Sequence, residues 1–237
     1  MAPAVPTAGA PLRVATYNIH HGAPRGGRFD RRAMAAACAS LGADVLALQE
    51  VDRRALRSGL SDQPAVIAKA TGLHHEFAST LDLGPLGRYG LALLTRSRPA
   101  SVEVLDLPES AERRVALIVE LPGAGQSDVP FTVVSTHLQN DDDIAISQLD
   151  VLLERLSRSR GPILLMGDFN AGPDLVEPRL AAHGLVAAEA PPTFPAHDPR
   201  RRIDWIAGRG VTFPGGARTV DVRASDHLPL VAACVHG

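Results

Sequence analysis

The chain has 237 residues and a formal net charge of −2 at pH 7, so its overall charge does not attract a polyanion. This balance disfavours a dedicated DNA-coating protein, although a local cluster such as Arg200, Arg201 and Arg202 can still contact phosphates. Apolar residues make up 45% of the chain and aromatic residues 4%, which excludes a fibrous or disordered protein and predicts a core of Ala, Leu and Val.

The cysteines and the N-terminal segment favour a cytoplasmic protein. Cys38 and Cys234 fall in an Ala-rich segment and a terminal apolar run, which predicts packing residues and not a disulfide or metal pair. Residues 1–11 lack the basic region and apolar stretch of a signal peptide, so we expect a disordered leader. No stretch approaches the ~20 apolar residues of a membrane span. We expect residues 12–237 to form one domain of a monomer.

Apolar runs and helical stripes predict more strands than helices. The expected strands, in chain order, are Leu12–Tyr17, Val45–Glu50, Leu91–Thr95, Val102–Leu105, Val115–Leu121, Phe131–Thr136, Ile163–Met166, Ile203–Ile206 and Leu228–Val235. The expected helices are Arg31–Leu41, Gln63–Thr71 and Ile144–Leu156, the last capped by Asp141–Asp143. We interpret Gly84–Gly90 as a surface loop. Because helices do not follow every strand, the pattern favours stacked mixed sheets with outer helices.

The segment Gly167-Asp168-Phe169-Asn170 follows the apolar run Ile163–Met166. As the end of a buried strand, it places Asp168 and Asn170 on one side and Phe169 on the other. A carboxylate and a carboxamide on one face are suited to activating water and stabilising an anion. The alternative is a β-turn, since Gly, Asp and Asn are turn residues.

Other strands also carry polar residues at or near their ends. These residues are Asn18, Glu50, His137, Asp168, Asn170, Asp204, Asp226 and His227. If the ends meet at one edge, they supply oxygen ligands for Mg²⁺ or Mn²⁺, two imidazoles and amide donors. That set of groups is suited to hydrolysing a phosphate ester. The motifs His-Glu-x-x-His and Gly-x-x-x-x-Gly-Lys are missing from the sequence, which disfavours zinc proteases and P-loop enzymes.

Six motifs, in order along the chain, resemble the endonuclease/exonuclease/phosphatase (DNase I-like) superfamily. They are Thr16-Tyr17-Asn18-Ile19-His20, Leu48-Gln49-Glu50-Val51, Ser135-Thr136-His137-Leu138, Gly167-Asp168-Phe169-Asn170, Arg202-Ile203-Asp204-Trp205-Ile206 and Ser225-Asp226-His227-Leu228-Pro229-Leu230. The resemblance implies an α/β four-layer sandwich, in which two mixed β-sheets lie face to face and helices flank them. It also implies divalent-metal-dependent hydrolysis of phosphodiesters or phosphomonoesters.

The resemblance further implies roles for individual residues. Glu50 is expected to bind Mg²⁺ (or Mn²⁺) with help from Asn18 and Asp226. Asp168 is expected to orient or deprotonate the attacking water, and Asn170 to hydrogen-bond a phosphoryl oxygen.

The remaining roles concern histidines and an arginine. Asp204 is expected to fix the tautomer of His227 beside the scissile phosphate, and His137 is a candidate phosphate contact or leaving-group acid. His20 and Arg114 are candidate substrate-binding residues. Their alternatives are an ordinary loop histidine and a solvated charge at a strand end.

The substrate stays open at this point. Many relatives carry Gly-Asn-Ala where this chain has Gly90-Leu91-Ala92, so one polar contact is expected to be missing. The leading hypothesis is a phosphoesterase acting on a small, lipid-like or nucleic-acid phosphate ester. The alternatives are a DNA endonuclease, exonuclease or repair nuclease, and a noncatalytic binding module on the same fold.

Overall fold

A computed structural model of the chain describes residues 11–24, 27–108, 111–122, 129–222 and 224–236. The expected leader lies outside the described residues except for Pro11. Within the described part there is no helix both long and apolar enough to cross a bilayer.

The described residues form four α-helices and thirteen strands. The helices are α1 (Arg31–Ser40), α2 (Gln63–Thr71), α3 (Asp142–Ser157) and α4 (Pro173–Ala182). The strands are β1 (Leu12–Asn18), β2 (Val45–Arg53), β3 (His74–Leu83), β4 (Gly87–Thr95), β5 (Ser101–Asp106), β6 (Val115–Leu121), β7 (Phe131–His137), β8 (Ile163–Asp168), β9 (Val186–Ala187), β10 (Asp204–Arg209), β11 (Val211–Thr212), β12 (Ala217–Thr219) and β13 (Leu230–His236).

The strands make two mixed sheets. The first has the order β11-β13-β1-β2-β4-β3, with β12 also paired to β13, and the second has the order β5-β6-β7-β8-β10-β9. In each sheet one central pair is parallel, β1 with β2 and β7 with β8, and the other pairs are antiparallel. The expected mixed sheets are therefore present.

Three apolar clusters stack the sheets and helices into four layers. Val14 and Leu164 belong to the cluster between the two sheets. Their chain neighbours point the opposite way: Ala15 packs towards α1 and α2, and Leu165 packs towards α3 and α4. Because the central strands are buried on both faces, their sequences are nearly continuous apolar runs. The predicted four-layer α/β sandwich is confirmed.

Local signals account for the helix ends and for the cysteines. The Asp30 side chain caps α1 by accepting from two backbone N–H groups, and Asp141 caps α3 by accepting from the N–H of Ile144 at 3.1 Å. The predicted cap at Asp141 is thus confirmed. Cys38 and Cys234 are buried free thiols, which confirms their prediction as packing residues.

The interpretation of Gly84–Gly90 as a loop holds for residues 84–86, which form a turn, but it is wrong from Gly87, where β4 begins and pairs with β3, a strand that the sequence did not predict. Glycine usually signals a loop, but here it permits close pairing, since a Cβ at Gly90 would lie 1.9 Å from the carbonyl oxygen of Ala78. Helix α4 was also missed because it contains two prolines, one in its first turn and one inside.

Candidate active site

Two pairs of parallel strands bring the predicted residues to one edge of the sandwich. Asn18 of β1 is paired with Gln49 of β2, and His137 of β7 is paired with Asp168 of β8. Parallel neighbours end at the same edge, so each pair delivers its polar residues together. The two sheets meet there, because Nδ2 of Asn18 donates to Oδ2 of Asp168 at 3.0 Å.

Gly167 allows β8 to approach β7 closely enough to position the next residue, Asp168. Its φ is 156°, and a Cβ at this position would lie 2.1 Å from the carbonyl oxygen of Thr136. Only glycine accommodates both the dihedral angle and the close approach. The Asp168 carboxylate is buried as a result, and it is held between the two sheets.

A turn, and not strand alternation, positions Asn170. The strand ends at Asp168, and Asn170 has a left-handed φ of 54°. Its N–H donates to Oδ1 of Asp168 at 3.0 Å, and its Nδ2 donates to the carbonyl of Leu138 at 3.0 Å. Phe169 lies on the other side and stacks on Trp205, with ring centroids 6.0 Å apart. The segment is therefore a strand end followed by a turn.

A β-bulge directs Glu50 towards Asn18. The pairing of β2 with β4 shifts register between Leu48 and Val51, and Glu50 within the bulge has a φ of 58°. Gln49 stays buried, whereas Glu50 is partly exposed. Oε1 of Glu50 accepts a hydrogen bond from Nδ2 of Asn18 at 3.0 Å. One amide thus links two carboxylates, Glu50 and Asp168.

Asp204 and His227 form a buried hydrogen-bonded pair. Nδ1 of His227 donates to Oδ2 of Asp204 at 2.9 Å, and the Thr193 hydroxyl donates to the same oxygen. The backbone N–H of His227 donates to Oγ of Ser225 at 3.2 Å, which holds the turn. With Nδ1 engaged in this way, Nε2 faces Oδ2 of Asp168 at 3.6 Å.

The electrostatics of this cluster raise the pKa values of both Asp168 and His227. Burial raises the pKa of Asp168, and the nearby Asp204 carboxylate raises it further. Burial alone would lower the pKa of His227, but the carboxylates of Asp204 and Asp168 raise it to about 10. His227 therefore carries a positive charge at neutral pH and faces an unusually basic aspartate.

His137 has the opposite protonation preference. Burial, the positive charge of Arg114 and that of His227 hold its pKa well below 6.5. Its Nε2 lies 3.2 Å from Nδ2 of Asn170 and 3.6 Å from Oδ2 of Asp168. His137 is thus a neutral imidazole that accepts a hydrogen bond from the Asn170 amide.

The other predicted residues lie around this centre. Nδ1 of His20 is 4.0 Å from Oδ1 of Asp226. Arg114 is buried, and its guanidinium donates to Oε1 of Gln139 at 3.1 Å and to Oε2 of Glu112 at 3.2 Å. Arg114 is therefore hydrogen-bonded to protein groups, and its positive charge affects the site by lowering the pKa of His137.

Residues 15–227 match the family model described as the Endonuclease/Exonuclease/phosphatase family. The chain belongs to this family. Members of the family are mostly phosphoesterase hydrolases. No curated protein matches the chain in sequence at a significant level.

Solved structures share the fold. An endonuclease/exonuclease/phosphatase from Beutenbergia cavernae is 26% identical, with a TM-score of 0.80 over 96% of this chain and 72% of that one. The human Nocturnin catalytic domain with bound sulfate is 20% identical, with a TM-score of 0.74 over 96% and 95%. A mannosyl-6-phosphatase from Bacteroides thetaiotaomicron is 17% identical, with a TM-score of 0.74 over 94% and 99%. The predicted DNase I-like fold is confirmed.

On this family fold, sequence reasoning missed three supporting residues. Thr193 holds Asp204, Ser225 holds the turn at His227, and the ring of Phe194 lies 4.8 Å from the His227 ring. Ser225 could have been found from the sequence, because it begins the motif that contains Asp226 and His227. Thr193 and Phe194 stand among prolines, where no apolar period marks an element.

Proposed function

We propose that this protein is a divalent-metal-dependent phosphoesterase that hydrolyses a phosphate ester by in-line attack of an activated water. The observation that carries the proposal is one continuous chain of hydrogen bonds and close contacts. It runs from Glu50 through Asn18 to Asp168, and then through His227 to Asp204. These contacts connect a partly exposed carboxylate, which can bind a metal ion, with a buried acid–imidazole pair, which can hold or transfer a proton. Phosphoryl transfer uses both kinds of group.

Glu50 and Asp226 carry oxygen donors of the kind that a hard divalent cation prefers. Glu50 and Asp226 are both partly exposed, so their carboxylates are accessible to an ion. The Asn18 amide holds Glu50 and receives the N–H of His20 on Oδ1 at 3.1 Å. We propose Glu50 and Asp226 as ligands of Mg²⁺ or Mn²⁺, with Asn18 orienting Glu50. When bound, the ion neutralises charge on the phosphoryl and leaving oxygens.

A buried set of donors, Asp168, Asp204 and His227, also lies within 4.8 Å of one another. Its imidazole already donates to Asp204, and the two carboxylates raise the pKa of that imidazole. These three groups are therefore better suited to holding a proton than to binding a metal ion.

Asp168 is the proposed acceptor of the proton from water. Its two oxygens already accept from Asn18 and from the N–H of Asn170, so the carboxylate is fixed in orientation. The raised pKa makes it a stronger base than a solvated aspartate. Protonated His227 is proposed to donate from Nε2 to a phosphoryl oxygen. Both N–H groups of the Asn170 amide are engaged, by Leu138 and by His137, so Asn170 is proposed to donate to the phosphoryl group by exchanging its hydrogen bond to His137. Neutral His137 is proposed to orient that amide, and its low pKa disfavours it as the leaving-group acid.

The test compares hydrolysis of bis-(p-nitrophenyl) phosphate with that of the monoester, with Mg²⁺, with Mn²⁺ and with chelator. Asp168→Asn is expected to lower kcat by about 100-fold or more. The matched control is Asp174→Asn, because Asp174 is an exposed residue in the first turn of α4. Hydrolysis that survives both chelation and Asp168→Asn contradicts the proposal.

The substrate class is decided by a parallel panel of plasmid DNA, an abasic oligonucleotide, phospholipid and sugar phosphates. Preferred cleavage of DNA supports the nuclease alternative. If the folded protein turns over none of these esters with either metal, the noncatalytic alternative is favoured.

A further inference from the structure

The loop after β1 places two adjacent histidines beside Glu50. One ligand atom each of His20, His21 and Glu50 lie within 4.8 Å of one another, and all three residues are partly exposed. The rings of the two histidines are 4.4 Å apart at their centroids. Imidazole nitrogens therefore accompany the carboxylate that the proposed function uses.

The backbone of all three residues lies in the left-handed region. The φ angles are 43° for His20, 47° for His21 and 58° for Glu50. Such angles are uncommon outside glycine, so they persist only when the surroundings impose them. Three in one small cluster indicate a constrained arrangement of these side chains.

Buried contacts impose this conformation. Nε2 of Gln63, which is fully buried, donates to the His21 carbonyl at 2.6 Å, while its Oε1 accepts from the N–H of Asp52 on β2 at 2.8 Å. The N–H of His20 donates to Oδ1 of Asn18 at 3.1 Å. The loop is thus tied to the two strands that also carry the site.

The ring of His20 has the hydrogen bond that metal-binding histidines have. Its Nδ1 lies 2.8 Å from the carbonyl oxygen of Ala23, so Nδ1 carries the proton and Nε2 is left as a lone-pair donor. A backbone carbonyl on the second ring nitrogen is the usual partner of a metal-ligating histidine. The positive charge of Arg57 acts on His21, and the guanidinium is paired with the buried carboxylate of Asp52, to which it donates at 2.7 and 2.9 Å.

We propose that His20, His21 and Glu50 bind a divalent transition-metal ion, of the Zn²⁺ or Co²⁺ type, in preference to Mg²⁺. Imidazole nitrogen favours these ions, whereas Mg²⁺ selects oxygen ligands. Bonds of about 2.1 Å separate ligand atoms by roughly 3–3.5 Å, so side-chain movements of about 1 Å close the site. The chemical use of the ion rests on the proposed function, but its binding does not.

The test uses the full chain, freed of metal by chelation. Zn²⁺ and Mg²⁺ are titrated by calorimetry, and Co²⁺ by its visible absorption. The variant is His20→Asn with His21→Asn, because asparagine tolerates a left-handed φ and replaces nitrogen with an oxygen donor. We expect Zn²⁺ and Co²⁺ affinity to fall about tenfold or more, with Mg²⁺ affinity changed by less than about threefold. The matched control is His74→Asn with His75→Asn, an exposed adjacent pair on β3, which we expect to change affinity by less than about twofold.

A measurement on the unchanged protein covers the case in which the variant does not fold. Co²⁺ added in the presence of excess Mg²⁺ is expected to shift the ring-proton NMR signals of His20 and His21, and not those of His74 and His75. Unshifted His20 and His21 signals, or equal loss of Zn²⁺ and Mg²⁺ affinity in the folded variant, overturn the proposal. If Zn²⁺ binds through the histidines but no ester is hydrolysed, the proposed function fails and the metal site stands.

Discussion

Replacing Asp204 with asparagine removes one charge from the buried pair with little change in shape. Oδ2 of Asp204 accepts from Nδ1 of His227 at 2.9 Å, and the two side chains are 1% and 7% exposed. Because both side chains are buried, water does not replace the lost hydrogen bond between the Asp204 carboxylate and His227. A hydrogen bond to a charged group contributes about 1.5–3 kcal/mol, and 1.36 kcal/mol is one pKa unit. The pKa of His227 is therefore expected to fall by about one to two units in Asp204→Asn.

The substitution also shifts the pH dependence of the reaction. The active form is proposed to hold protonated His227 and ionised Asp168, so activity is lost as pH rises through the pKa of His227. It is also lost as pH falls through that of Asp168, which lies above the ordinary 3.8. Removing the Asp204 charge lowers both pKa values, because that charge raises each of them. Both limbs of the profile are expected to move to lower pH.

The assay is kcat/KM for a phosphate diester against pH at fixed metal concentration, with an NMR titration of His227. A fall of one to two units from about 10 leaves His227 protonated at neutral pH, so the pKa shift alone costs little activity there. We expect kcat/KM at neutral pH to fall by about 100-fold in Asp204→Asn because the imidazole loses the carboxylate that fixes its orientation and tautomer. Asp174→Asn is the control, and thermal unfolding verifies that both variants fold. The reasoning is refuted if folded Asp204→Asn keeps its alkaline limb in place and its rate within about twofold, a change below about 0.5 kcal/mol.

Three further predictions concern the backbone, the buried arginine and the metal. Gly167→Ala is expected to destabilise the fold by roughly 2–4 kcal/mol, because its Cβ would meet backbone at 2.1 Å. Gly172→Ala, with open space around it, should change the free energy of unfolding by under about 1 kcal/mol in the same denaturant titration. Arg114→Gln should raise the pKa of His137 in an NMR titration, and an unchanged value contradicts the assigned charge effect. Glu50→Gln should weaken metal binding by about tenfold or more in calorimetry while the apo protein unfolds at an unchanged temperature.

Nine of the thirteen strands in the described residues, and the types of site residue, could be predicted from the sequence because burial and chemistry are local properties. The run Ile163–Met166 is apolar throughout because it faces a core on both sides. The cap at Asp141 and the helix Gln63–Thr71 follow from short-range hydrogen bonding and periodicity. The six motifs predicted the family for the same reason, since each has its polar residues at or near the end of an apolar segment.

Tertiary structure alone decided how those residues meet. The contact of Asn18 with Asp168 spans 150 residues, and no local pattern specifies which strands become neighbours. The bulge at Glu50 and the left-handed turn at Asn170 depend on pairing with other strands, so strand alternation did not predict them. The raised pKa of Asp168 and the lowered pKa of His137 depend on burial and on charges brought from distant segments. The sequence thus determined which groups are present, and packing of the two sheets determined their protonation and geometry.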